Sequence, residues 1–337
     1  MSDAGKINPK PAMITGAQAT LMALDEALGA DPTVLVFGED VADPDGGGIM
    51  KASRGLSTKY GEHRVRSTPI SEQAIIGAAV GSAIAGMRPV AEIMLMDFMA
   101  VAMDQIVNHA AKIRFMSGGH TSVPLTIRVM GGAGGGSGGQ HSGMYEAWFA
   151  HVPGLKIVVP SNPADQKALL LSCIFDDDPC IFVETTMLMR SSGPAPEPGY
   201  KVPLGKAKIS RVGSDVTVIS YGRPVIDVEK SAHRLASDGI SVEVIDLRTI
   251  VPMDREAVLT SVAKTKRCVI VHEAVTEFGV GAEIAAMLHK ELFGTLLAPV
   301  ERVGGRHCPV PYSKPLELAY MWSQVRIEAA IRETLSR

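Results

Sequence analysis

Short apolar, β-branched runs alternate with longer segments of helical periodicity along almost the whole chain. The runs Val34–Phe37, Val90–Met94, Pro124–Val129, Lys156–Val159 and Cys180–Glu184 read as strands, with helices near 16–29, 73–86, 98–115 and 162–175. Such alternation predicts βαβ units around a mostly parallel sheet. It stops at Ser191-Ser192-Gly193-Pro194-Ala195-Pro196-Glu197-Pro198-Gly199, which cannot form a helix and is costly inside a sheet. It restarts with strands Val216–Ser220, Ser241–Asp246, Cys268–His272 and Pro299–Val303, and helices near 225–238, 254–264, 278–293 and 314–335. The expected fold is α/β, with two α/β domains: residues 1–190, a Pro/Gly linker 191–205, and a smaller domain 206–337.

Length agrees with that division, since 337 residues exceed one compact core and suit two domains of roughly 100–200 residues each. The chain is 46% hydrophobic but only 5% aromatic, so the core must be Ala, Val, Ile, Leu and Met, a mixture suited to α/β layers. A net charge of −3 with both signs interspersed argues against nucleic acid or an acidic membrane surface as partner. Cys173, Cys180, Cys268 and Cys308 form no Cys-x-x-Cys pair and are expected to be buried, inert thiols. The leader Ser2-Asp3-Ala4-Gly5-Lys6 lacks the apolar stretch of a signal peptide. The most apolar helix, 73–86, falls short of the ~20 residues of a membrane span. A soluble, cytoplasmic protein is expected.

The candidate chemistry starts at Glu72. Thr68-Pro69-Ile70-Ser71 delivers this carboxylate to the head of an Ala/Gly-rich helix holding almost nothing else ionisable, an environment that poises a carboxylate for proton work. Gly77 and Gly81 share a face of that helix and serve tight internal packing or a subunit contact; either way the helix is expected to be buried. The tract Gly131-Gly132-Ala133-Gly134-Gly135-Gly136-Ser137-Gly138-Gly139 follows a strand but lacks the Gly-Lys-Ser/Thr of a phosphate loop. It is an active-site loop or a plain structural one. His141, between Gln140 and Ser142, stands where a ligand would be, whereas His151 reads as structural and His109 reads equally well as a surface residue. No histidine spacing suits a metal, and no Gly-x-Ser-x-Gly stands between a strand and a helix as a serine nucleophile needs. Gly279-Val280-Gly281 opens a helix, but no acidic ribose partner follows at the spacing a nucleotide fold needs.

Several ordered motifs together resemble one family. They are Val36-Phe37-Gly38-Glu39-Asp40-Val41, Thr68–Glu72, Gly86-Met87-Arg88-Pro89, Met103-Asp104-Gln105-Ile106-Val107-Asn108, Gln140-His141-Ser142, His151-Val152-Pro153-Gly154-Leu155-Lys156 and Val244-Ile245-Asp246-Leu247-Arg248-Thr249-Ile250. Over nearly its whole length the chain resembles the β subunit of the thiamine-diphosphate-dependent decarboxylating component of 2-oxoacid dehydrogenase complexes, of pyruvate or acetoin type. The resemblance implies an N-terminal thiamine-pyrimidine-binding domain and a C-terminal transketolase-like domain. It implies assembly as two α and two β chains. The α chain would supply the Gly-Asp-Gly motif for magnesium and the diphosphate, a motif absent from this sequence.

By the same resemblance, Glu72 hydrogen-bonds a pyrimidine ring nitrogen and helps create a base beside the thiazolium carbon. Phe98 lies beside the pyrimidine. His141 steadies oxyanion stages or helps pass the acyl group to a lipoyl arm, and Glu39 belongs to a proton path joining two sites. A structural potassium site carries over to Leu125, Cys173, Ile174, Asp176 and Asp178; the bland alternative is that Asp176-Asp177-Asp178-Pro179 merely stops a helix. Val101 stands where some pyruvate enzymes have Gln, so the expected substrates span pyruvate, acetoin and branched-chain 2-oxoacids. Further expected partners are the dihydrolipoyl acyltransferase core and its lipoyl domain. Two other classes remain: a non-catalytic docking subunit linking the α subunit to the acyltransferase core, and a nucleotide-binding protein built on residues 279–283.

Overall fold

A computed structural model of the chain describes residues 12–337. The leader Ser2–Lys6 lies outside them. Its strands are β1 Met13–Thr15, β2 Val34–Glu39, β3 Val65–Thr68, β4 Arg88–Leu95, β5 Thr126–Gly131, β6 Lys156–Val158, β7 Cys180–Thr185 and β8 Ser192–Pro194, then β9 Lys208–Arg211, β10 Val216–Ser220, β11 Val242–Asp246, β12 Thr249–Val251, β13 Cys268–Val275 and β14 Glu301–Gly305.

A seven-stranded sheet runs β12-β6-β7-β5-β4-β2-β3, parallel except for β12, which pairs antiparallel with β6. A five-stranded sheet runs β14-β13-β10-β11-β9, parallel except for β9. The central strands are largely apolar without strict alternation because helices cover both faces. On β7, Ile181 and Val183 pack with Ile75, Ile76 and Ala79 of helix Glu72–Ile84, while Phe182 packs oppositely with Leu24 of helix Gly16–Ala30 and Leu169 of helix Pro163–Ile174. The first of these clusters also takes in Ile219, Tyr221, Ile245 and Leu247, so one core runs from the first sheet into the second.

Four features differ from the sequence reading. Residues 98–115 are not one helix but a 3₁₀ segment Met96–Ala102, a π-turn Gln105–Ala110 and a short helix Ile113–Met116. Asp97 and Met96 there bind the backbone of Gly143 and Tyr145 at 3.0 and 2.9 Å, a tertiary tie that competes with a regular helix and that periodicity does not register. The segment 314–335 breaks into Lys314–Tyr320 and Gln324–Ser336, because Ser323 caps the second helix by accepting the Arg326 N–H and Trp322 is pulled to Asp227. The Glu72–Ile84 helix is buried on one face only: Ala74, Ala78, Gly81 and Ile84 are open in the single chain. Cys173, Cys180 and Cys268 are buried as expected, but Cys308 is exposed.

The Pro/Gly segment is ordered and packed. Ser192–Pro194 pairs with Met13–Thr15, Val202 is buried, and the Tyr200 hydroxyl donates to Asp165 at 2.6 Å. No helix among the described residues is long and apolar enough to cross a membrane.

Candidate active site

The site forms where parallel strands end. Glu39 closes β2 and lies in register with Thr68 at the end of β3. Pro69 then turns the chain, and Glu72 becomes the first residue of its helix, where the positive end of the backbone dipoles favours a carboxylate. β4 runs directly into the turn bearing Asp97 and Phe98, and β5 into the glycine tract that ends at His141. Four candidates thus share the C-terminal edge of one sheet, the usual place for a ligand in open α/β folds.

Glu39 and Glu72 are both largely buried, at 6% and 8% exposure. The Glu39 carboxyl is pushed up, first by burial and then by the charges of Glu72, Asp40 and Glu92. The charge of Glu72 acting on Glu39 favours a hydrogen-bond donor placed between them. The aminopyrimidine of thiamine is such a group, so the donor set fits that end of the cofactor.

The Phe98 and His141 rings meet edge to face with centroids 5.4 Å apart. His141 is exposed, and its neighbours hold it from below: Ser142 is buried with its Oγ unpartnered among the described residues. Asp97 accepts the Gly143 N–H at 3.0 Å and the Tyr145 O–H at 3.1 Å. Burial, with Asp97 beside it, pushes the Tyr145 phenol up to about 12, so the hydroxyl remains a donor. Sequence reasoning missed Asp97, although it adjoins Phe98. Within the central strands β4, β5 and β7, fully buried Arg128 bridges Glu92 at 2.7 Å and Glu184 at 2.8 Å, a buried cross-strand network of one guanidinium and two carboxyls. Val101 is exposed, as are His151 and the tip of the glycine tract, while His109 is half-buried.

The potassium candidates lie at the opposite edge of the sheet, before β5 and β7. The Lys156 ammonium contacts Asp176 at 2.6 Å and Asp178 at 3.2 Å, and Arg114 reaches Asp178. Arg88 donates to the carbonyls of Asp176 and Ile174 at 2.9 and 3.4 Å. The Leu125 carbonyl accepts the Cys180 N–H at 2.8 Å, and that of Cys173 the Asp176 N–H at 3.2 Å. Each of these oxygens accepts a protein donor, and the carbonyls keep a second lone pair. In the second domain, a Cβ at Gly279 or Gly281 would meet the His272 ring at 3.3 or 2.7 Å, so these glycines serve helix–strand packing.

Residues 12–192 match the transketolase pyrimidine-binding domain family and residues 205–327 the transketolase C-terminal domain family. A split-gene transketolase, solved as an inactive β4 tetramer, shares the fold with a TM-score of 0.79 over 96% of this chain and 98% of that one, at 22% identity. Fold and site therefore define a two-domain protein of the transketolase type. The β subunit of acetoin:2,6-dichlorophenolindophenol oxidoreductase from Cupriavidus necator is 44% identical over 93% of this chain and 95% of its own. Pyruvate dehydrogenase E1 component subunit beta-2 of Oryza sativa is 44% identical over 90% and 81%, and the 2-oxoisovalerate dehydrogenase β subunit of Bacillus subtilis 41% over 93% and 95%. The chain belongs to the family of β subunits of the thiamine-diphosphate-dependent pyruvate, acetoin and branched-chain 2-oxoacid dehydrogenases, a family of oxidoreductases.

Proposed function

We propose that this chain is the pyrimidine-binding half of an active site completed by an α subunit, in a heterotetramer of two α and two β chains. The assembly acts on pyruvate, acetoin or a branched-chain 2-oxoacid and delivers the acyl group to the lipoyl domain of a dihydrolipoyl acyltransferase in the cytoplasm. The observation that carries the reading is the buried Glu39–Glu72 pair at the sheet edge, with Phe98 and His141 in ring contact at the same edge.

Thiamine diphosphate, when bound, supplies a nucleophilic carbon and an electron sink for carbon–carbon cleavage. Glu72 holds a proton at the pyrimidine ring nitrogen, in a setting where a charged acceptor is far stronger than in water. Glu39, its carboxyl already raised by burial and by the charge of Glu72, is a second proton-holding group beside that ring. Phe98 offers an apolar wall and fixes the His141 imidazole, which donates to developing negative charge on the substrate oxygen. The magnesium and diphosphate end falls to the α chain.

The test is co-expression with an α subunit and thiamine-dependent dye reduction, using pyruvate, acetoin, 2-oxobutyrate and branched-chain 2-oxoacids. Glu72→Gln should leave the heterotetramer assembled and lower kcat by roughly 10²–10⁴-fold, the usual weight of a positioned acid–base group. Full turnover in that variant would sink the catalytic reading and favour a docking subunit.

A further inference from the structure

The glycine tract is gripped by the other domain. Gly132, Gly134, Gly136 and Gly138 have φ of +98°, +100°, +69° and +73°, while the residues between them keep ordinary backbone. Alternation of that kind turns successive N–H groups toward one concave side, forming an anion-binding nest. Here the anion is a side chain. The Glu317 Oε1 accepts the N–H of Gly134 at 2.7 Å and of Gly136 at 3.1 Å, and Oε2 accepts Gly136 at 3.2 Å. Glu317 is only 3% exposed and sits on the short helix Lys314–Tyr320 of the C-terminal domain.

The same domain closes on the rest of the tract. Ala133 donates its N–H to Glu273 at the end of β13. A Cβ on Gly138 would lie 2.3 Å from the Tyr312 ring, and one on Gly139 would lie 3.4 Å from Pro309. Residues 309–317 therefore lie along the tract as a strap, and His141 follows where the strap ends. A loop of so many glycines has a large backbone entropy to lose, and charge-assisted hydrogen bonds are what offset that loss.

We propose that Glu317 is a positioning residue for the reaction: delivered by the C-terminal domain, its carboxylate fills the glycine nest and fixes the segment that carries His141. The proposal rests on the reading that His141 acts at this site. It gives the C-terminal domain a part in turnover, and it gives the glycine tract an internal anion in place of a phosphate.

Two measurements on the α/β holoenzyme test it. Hydrogen–deuterium exchange of the wild type should show the Gly134 and Gly136 amides protected, with protection lost in Glu317→Gln and partly regained in Glu317→Asp. The loss in kcat for Glu317→Gln should be about tenfold or more, the weight of a charge-assisted hydrogen bond, with cofactor affinity unchanged. A double-mutant cycle supplies the readout a merely structural role would not move: in a His141→Ala background, Glu317→Gln should cost no further kcat. Fast exchange at Gly134 and Gly136 in the wild type would overturn the proposal without any variant having to fold. So would a kcat loss that persists undiminished without His141. Full activity of His141→Ala alone would overturn the proposal together with the catalytic reading of His141, whereas an undiminished Glu317→Gln loss in the His141→Ala background overturns the proposal alone.

Discussion

Between the two domains lies a knot of buried polar side chains whose protonation decides part of the stability. Glu273 has one oxygen engaged by Ala133 N–H and the other without a partner among the described residues. Burial foremost, helped by Glu146 and Glu317 and opposed by Ala133 and Arg223, pushes its carboxyl up to about 8. Glu146 is raised as well, although the Tyr221 hydroxyl donates to it at 2.7 Å; His272 next door is held down to about 4 by burial, and is neutral. At neutral pH the native chain therefore keeps a proton on Glu273 that the unfolded chain releases. The sign follows: native binds more protons than unfolded between the ordinary glutamate range and about 8, so stability falls as pH rises through that window. The contribution is whole below the unfolded value and is lost as pH passes the folded one. Glu273→Gln should flatten this part of the profile, raising stability near pH 9 relative to wild type by ~1–3 kcal/mol while changing little near pH 5. Denaturant titrations at the two pH values check it; equal slopes in both proteins would show that Glu273 is charged throughout.

At the scale of elements, what the sequence reveals depends on whether the partner is local. The runs of β2, β4, β7, β10 and β13 are readable because burial on both faces keeps most of their positions apolar, the few polar ones such as Glu92, Glu184 and Glu273 being buried too. The strands Met13–Thr15, Ser192–Pro194, Lys208–Arg211 and Thr249–Val251 carry no such run and exist only because an edge is offered by a distant part of the chain. The site divides the same way. Glu39, Glu72, Phe98 and His141 stand in local motifs at strand ends, whereas Asp97, Glu273 and Glu317 matter through backbone amides brought to them by folding. The Glu72–Ile84 helix shows both sides of this limit. Its apolar face packs on the sheet, but Ala74, Ala78 and Gly81 leave a flat exposed stripe. A Cβ at Gly81 meets nothing within 4 Å. Gly81→Ala should therefore stabilise the lone chain by up to ~1 kcal/mol, since it removes only backbone freedom. Gly81→Leu should fold as well as Gly81→Ala but fail to assemble with the α subunit or a second β chain, as judged by sedimentation. Assembly undisturbed by Leu would show that this stripe faces solvent in the complex.

For the molecule as a whole, the Pro/Gly segment does not separate two independent bodies. β12 belongs by sequence to the second half yet extends the first sheet, and residues of both sheets share one apolar cluster. The tie is completed by Arg248, whose Nε and NH2 groups donate to the two oxygens of Asp165 at 3.0 and 2.9 Å, with the Tyr200 hydroxyl 3.0 Å from the same guanidinium. Asp165 belongs to a helix of the first half, Tyr200 to the connecting segment and Arg248 to the second half, so one buried ion pair joins all three. Asp165 is 1% exposed, and cutting its partner away leaves a charge in the interior. Arg248→Ala should cost ~3–5 kcal/mol, the penalty of breaking a buried pair from one side. Replacing both partners with apolar residues, Arg248→Met with Asp165→Leu, should restore most of it, because the larger part of that penalty is the stranded carboxylate. The exposed pair Arg234–Glu328 serves as the reference, and Arg234→Ala should cost under ~1 kcal/mol. Because the core is shared, calorimetry of the wild type should show a single cooperative transition. Two resolved transitions, together with an Arg248→Ala effect no larger than that of Arg234→Ala, would mean that the halves fold apart and that the strap of residues 309–317 must hold without the rest of the interface.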